Sequence, residues 1–131
     1  MSILDEYTKS VLRNESTKEH EADPDIKRLL HAGIGMATEA GEFLDALKKH
    51  IYYGKPLDKV NLLEEIGDQL WYCVLGIDVL GSSIEAVLTR NMEKLAARYS
   101  AGFSPAEALN RDLNRERKIL EERKNAKPET P

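Results

Sequence analysis

Two short acidic motifs carry the strongest chemical signal in the sequence. Glu39-Ala40-Gly41-Glu42 and Glu65-Ile66-Gly67-Asp68 each set two carboxylates three residues apart, with glycine at the same internal place. Residues three apart on a helix share a face. If two such helices pack antiparallel, four carboxylates meet, and like charges brought together need a cation between them. Oxygen-only donors suit Mg²⁺ or Mn²⁺ rather than zinc. The competing reading is a pair of solvated helix faces, and the doubled motif with matched glycines favours the metal site. Other site chemistries find no footing. The residues three before His20, His31 and His50 are Thr17, Arg28 and Leu47, so the Glu-x-x-His of di-iron bundles is absent. His-Glu-x-x-His and the phosphate-binding Gly-x-x-x-x-Gly-Lys-Ser/Thr are absent too. Cys73 lies in the apolar run Trp71–Leu75 and reads as a core residue rather than a nucleophile.

These acids must be held by helices. Apolar residues recur at three- and four-residue steps through Ile26, Leu29, Leu30, Ile34, Leu44, Leu47 and Ile51, and again through Leu62, Ile66, Leu70, Val74 and Ile77. Asp23-Pro24 and Asp58 read as helix starts, as do Ser82-Ser83-Ile84-Glu85 and Ser104-Pro105-Ala106-Glu107. The pattern predicts five helices, over residues 2–19, 24–52, 59–80, 83–99 and 105–124, with no strand. The expected class is all-α, a helical bundle, with residues 125–131 disordered. Gly33, Gly35, Gly41, Gly67 and Gly76 fall inside these helices, where each costs roughly 1 kcal/mol relative to Ala. Close helix packing, or a ligand beside Gly41 and Gly67, would offset that cost.

The chain of 131 residues carries 19 basic and 23 acidic side chains, net −4. One domain fits this length. The acidic balance disfavours binding to a nucleic-acid polymer. No apolar run approaches a membrane span, and the opening MSILDEYTKS has no signal pattern. A single cysteine cannot form an internal disulfide. The expected location is the cytoplasm, with no membrane partner. Apolar residues on several faces, among them Trp71, Val74, Leu75 and Val79, predict a core completed by homo-oligomerisation.

The paired acids, separated by 22 intervening residues, resemble the motif of the MazG-like nucleotide pyrophosphohydrolases of the all-α NTP pyrophosphatase superfamily. Three flanking stretches look alike as well: Leu47-Lys48-Lys49-His50-Ile51-Tyr52-Tyr53-Gly54, then Glu64–Tyr72, then Asn91-Met92-Glu93-Lys94-Leu95 with Arg98-Tyr99. Where that family has Pro after the Arg-Tyr pair, this chain has Ser100. The resemblance covers about residues 25–103, which makes 1–103 the expected catalytic domain and 104–131 a C-terminal helix and tail.

The resemblance implies Mg²⁺-dependent hydrolysis of nucleoside triphosphates, deoxy or non-standard ones included, to a monophosphate and pyrophosphate. It implies homodimers or homotetramers. Glu39, Glu42, Glu65 and Asp68 would bind the metal and carry catalysis, with Glu39 or its rival Glu64 as general base. Lys49, Asn91, Lys94 and Arg98 would meet the phosphates. Tyr72, one turn beyond Asp68, would stack on the base, while Trp71 would belong to the core or an interface. Two alternatives remain: a helical module that binds nucleotide without cleaving it, and a dUTPase-like hydrolase that also accepts diphosphates.

Overall fold

The structure, a computed structural model, describes residues 2–16 and 23–121. These form six helices and no strand: α1 (Ile3–Asn14), α2 (Pro24–Tyr53), α3 (Lys59–Val79), α4 (Ile84–Arg98), α5 (Pro105–Leu109) and α6 (Leu113–Glu121). The all-α class follows directly. The predicted disordered tail lies outside the described residues.

Local chemistry sets most of the boundaries. Asp23 caps α2 by accepting from the amides of Asp25 at 2.7 Å and Ile26 at 3.3 Å, and Pro24 fills the first helical position. Gly54, at φ 67°, takes the left-handed conformation that ends α2. Asp58 caps α3 through the amides of Val60 and Asn61. Gly81, at φ 65°, closes the far end of α3. Ser83 caps α4, which puts Ala86 rather than an acid three residues on.

Two predicted helices are shorter than expected. The first ends at Asn14, where Glu15 turns extended; Asn14 and Ser16 are types that favour turns over helix interiors. The last, expected over 105–124, breaks at Asn110–Asp112. There Asn110 Nδ2 donates to the Ala106 carbonyl at 2.9 Å, and Asp112 Oδ1 accepts from the Arg115 amide at 3.0 Å. Side chains that bond the neighbouring backbone end one helix and start another.

The centre of the fold is the antiparallel pair α2–α3. Arg28 bonds Asp78 at 2.8 Å at one end. Ala32 faces Gly76, Met36 Sδ accepts from Cys73 Sγ–H at 3.4 Å, and the Tyr72 ring lies over Gly35. The inner edge of α2 runs through Ala32, Gly35, Met36, Glu39, Phe43 and Leu47; among the described residues, Ala32 at 1 % exposure is the fully buried apolar side chain. The opposite edge, Ile26, Leu30, Gly33, Ile34, Ala37, Gly41, Leu44 and Ile51, is exposed throughout. A side chain at Gly33, Gly41 or Gly67 would meet nothing within 4 Å. Close packing between helices of one chain therefore explains Gly35 and Gly76 only.

α3 and α4 meet at 96°, which swings α4 away from the α2–α3 pair. α6 packs back on α4 through Glu116, a buried acid that accepts from Arg98 Nε and Nη2, both at 2.8 Å, and from Arg111 Nη2 at 2.6 Å. No single described helix is long and apolar enough to cross a membrane.

Candidate metal centre

Antiparallel packing brings the two acidic motifs face to face. One carboxylate oxygen each from Glu39, Glu42 and Glu65 lies within 4.8 Å of the other two. Their surroundings are graded: Glu65 is buried at 5 % exposure, Glu39 half-buried and Glu42 exposed. Glu65 is oriented from its own helix, where Asn61 Nδ2 donates to its Oε1 at 2.7 Å. Asp68 stands one turn further along α3 and shares a cavity wall with Glu39.

Crowding leaves an electrostatic mark. The Glu39 carboxyl titrates above its ordinary value, first because burial disfavours its charge, then through repulsion from Glu42, Asp68 and Glu65. A divalent cation among these carboxylates would neutralise the same charge. The donors are carboxylate oxygens alone, a set that fits a hard cation such as Mg²⁺ or Mn²⁺.

Beyond the acids lies a cavity of ≈ 320 Å³ lined by Glu39, Asp68, Trp71 and Tyr72. The Tyr72 ring is wedged against α2, with a Cβ at Gly35 falling 2.3 Å from its Cδ1 and Cε1. His31 meets it edge-on at 5.7 Å. Trp71, expected in the core or at an interface, is 60 % exposed and lines this cavity. Its position follows from the helix repeat, since it sits three residues after Asp68.

None of the four expected phosphate ligands lines this cavity. Lys49 forms an ion pair with Asp45, as does Lys48 at 2.8 Å. Hydrogen bonds from Lys48 and then Lys49 pull the Asp45 carboxyl down to about 2. Asn91 is exposed and Lys94 half-buried, both on α4. Arg98 is held by Glu116. Glu64, the rival candidate for general base, is exposed and outside the triad. Sequence reasoning missed Asn61 and Glu116. Of the two, Asn61 left a signal, its four-residue spacing to Glu65 on one helix face. Gly35, read from the sequence as a close-packing position, is one.

The MazG nucleotide pyrophosphohydrolase domain, as a family model, matches residues 31–103, more than half of the chain and all four acids. No curated protein and no solved structure matches the chain significantly.

Proposed function

The chain belongs to the MazG nucleotide pyrophosphohydrolase family, and we propose that it hydrolyses nucleoside triphosphates between the α- and β-phosphates. The products are a nucleoside monophosphate and pyrophosphate. The observation that carries this reading is the meeting of Glu39, Glu42 and Glu65 within 4.8 Å, inside the matched segment and beside Asp68. Residues 1–103 then form the catalytic domain, and 104–131 an appendage.

In this reading Glu39, Glu42, Glu65 and Asp68 hold Mg²⁺, with Mn²⁺ a workable substitute. When bound, the ion neutralises phosphate charge and polarises phosphoryl oxygens. The chain's own residues do the rest. Water attacks the α-phosphorus in line, the bond to the bridging oxygen breaks, and pyrophosphate leaves. Glu39, half-buried among the acids, is assigned to take the proton from that water, with Glu64 its rival. Asn61 keeps Glu65 aimed at the centre. Lys49, Asn91 and Lys94 are assigned to the phosphates, and Tyr72 to the substrate wall. Arg98 can join them only by leaving Glu116.

The reading includes a second copy of the chain. The exposed edge of α2, with Leu30 and Ile34 beside Gly33, offers an apolar face with no side chain at its closest points. The free thiol of Cys73 is consistent with a reducing, cytoplasmic setting.

The test is a screen of standard and modified nucleotides with Mg²⁺ or Mn²⁺, read by product identity. Monophosphate and pyrophosphate are expected. Glu42→Gln and Asp68→Asn should each abolish turnover with helicity by circular dichroism unchanged. Full activity in both variants would sink the metal assignment.

A further inference from the structure

The acids of α2 do not stop at Glu42. Glu39, Glu42 and Asp45 follow one another at three-residue steps along one flank of the helix. Their company differs. Glu39 and Glu42 meet Glu65. Asp45, half-buried, meets lysines instead: its Oδ1 accepts from Lys48 Nζ at 2.8 Å, and its Oδ2 accepts from Lys49 Nζ. Charge therefore changes sign along one flank, from a triad of acids to two ammonium groups bridged by a single carboxylate. Both lysines remain half exposed, open to a ligand.

Helix geometry fixes where the bridged pair lies. Lys49 is seven residues after Glu42, which returns it to within roughly 20° of the same direction, about 10 Å further along the axis. Helical side chains lean toward the N-terminus, so both lysines reach back toward the acid centre, and Asp45 lies in that direction. A lysine ammonium is a compact charge on a flexible four-carbon stem, and two of them side by side repel. Asp45 answers both problems with one oxygen for each. Two ammonium groups and one carboxylate leave a single positive charge in a fixed place. The Tyr53 ring, 6.0 Å from Lys48 Nζ, adds a second support.

We propose that Asp45 is a positioning residue, holding Lys48 and Lys49 as a two-ammonium clamp for the terminal phosphate of a triphosphate. The proposal rests on the nucleotide reading above and deepens it, because the clamp sets how many phosphates the substrate must carry. A diphosphate anchored at the acid centre ends short of the pair and gains nothing from it. A triphosphate reaches it, and the departing pyrophosphate builds up its charge against two cations. The clamp thus separates a triphosphate hydrolase from the alternative that also accepts diphosphates.

Titration calorimetry reads the clamp without turnover. The probes are the α,β-methylene triphosphate and the α,β-methylene diphosphate of one nucleoside, each with Mg²⁺. Wild type should bind the triphosphate about tenfold or more tighter than the diphosphate. Asp45→Asn keeps the size of the side chain and removes its charge. It should weaken triphosphate binding about tenfold and leave the diphosphate where it was, so that the gap closes. Asp45→Glu, which keeps a carboxylate, should restore most of the gap. Equal affinities in wild type, or a gap that survives Asp45→Asn, overturns the proposal. Tighter triphosphate binding in Asp45→Asn overturns it as well, since Asp45 would then compete with the phosphates rather than place the lysines. An equal loss for both probes does the same by assigning Asp45 to the fold or the acid centre. A gap that closes in Asp45→Asn, in a protein that turns over no nucleotide, supports the clamp and counts against the hydrolase reading alone.

Discussion

A methyl group on Gly35 would lie 2.3 Å from Cδ1 and Cε1 of Tyr72, far inside van der Waals contact. The ring cannot swing away freely, because His31 and Trp71 flank it. Gly35→Ala should therefore push α2 and α3 apart and destabilise the fold by about 1–3 kcal/mol. Thermal denaturation checks this; an unchanged or raised Tm would mean that the ring has somewhere else to go. Because Tyr72 braces the wall beside Asp68, the same variant should also weaken nucleotide affinity. The acids were visible in the sequence because helix geometry fixes what lies three residues apart. Gly35 was visible as a helix-interior glycine that close packing could explain, one of several, while Gly41 and Gly67 stood out as the matched glycines of the acidic motifs. What distinguishes Gly35 is a ring 37 positions away on another helix, a relation that no local pattern contains.

Helix starts were readable for the same local reason. Asp23-Pro24 and Asp58 bond amides two or three residues on, so the capping chemistry and its sequence signature are one thing. The break between α5 and α6 was not readable from periodicity, because Leu109 and Leu113 keep the apolar spacing across it. Only the side-chain bonds of Asn110 and Asp112 reveal it. That break aims α6 at α4, and Glu116 holds the contact. Hydrogen bonds from Arg98, then Arg111, pull the Glu116 carboxyl down from 4.5 to about 2. A carboxyl depressed on folding contributes stability that is present above its unfolded value and lost as pH falls. The α4–α6 contact should thus hold above about pH 4.5 and weaken progressively toward pH 2. Glu116→Gln should remove this part of the acid sensitivity at a cost in stability at neutral pH, where the two guanidinium groups lose their anion. Thermal melts of both proteins from pH 7 to pH 2 measure it. Parallel pH curves would show that Glu116 contributes nothing to acid unfolding.

The proposed second copy rests on apolar side chains that a single chain leaves exposed, among them Leu30, Ile34, Leu44 and Ile51 on α2. Propensity and spacing predicted apolar faces, but whether a face is inner or outer depends on what else is present. Trp71, expected in the core or at an interface, is not in the core of the single chain, where it is 60 % exposed. The edge of α2 is the face best suited to a second copy. It runs from Ile26 to Ile51, it is exposed along its length, and Gly33 and Gly41 leave room for another helix to approach. The acid centre lies on the opposite edge of α2, so assembly there leaves the site open. Leu30→Glu with Ile34→Glu would place two charges in that contact, where an unpaired buried charge is strongly unfavourable. Wild type should elute as a dimer or larger by light scattering, with a Tm that rises with protein concentration. The double variant should elute as a monomer, lose the concentration dependence and melt earlier. A wild-type monomer at micromolar concentration would remove the second copy from the account. An oligomer unmoved by the two glutamates would place the contact on another face, with the exposed edge of α3 next in line.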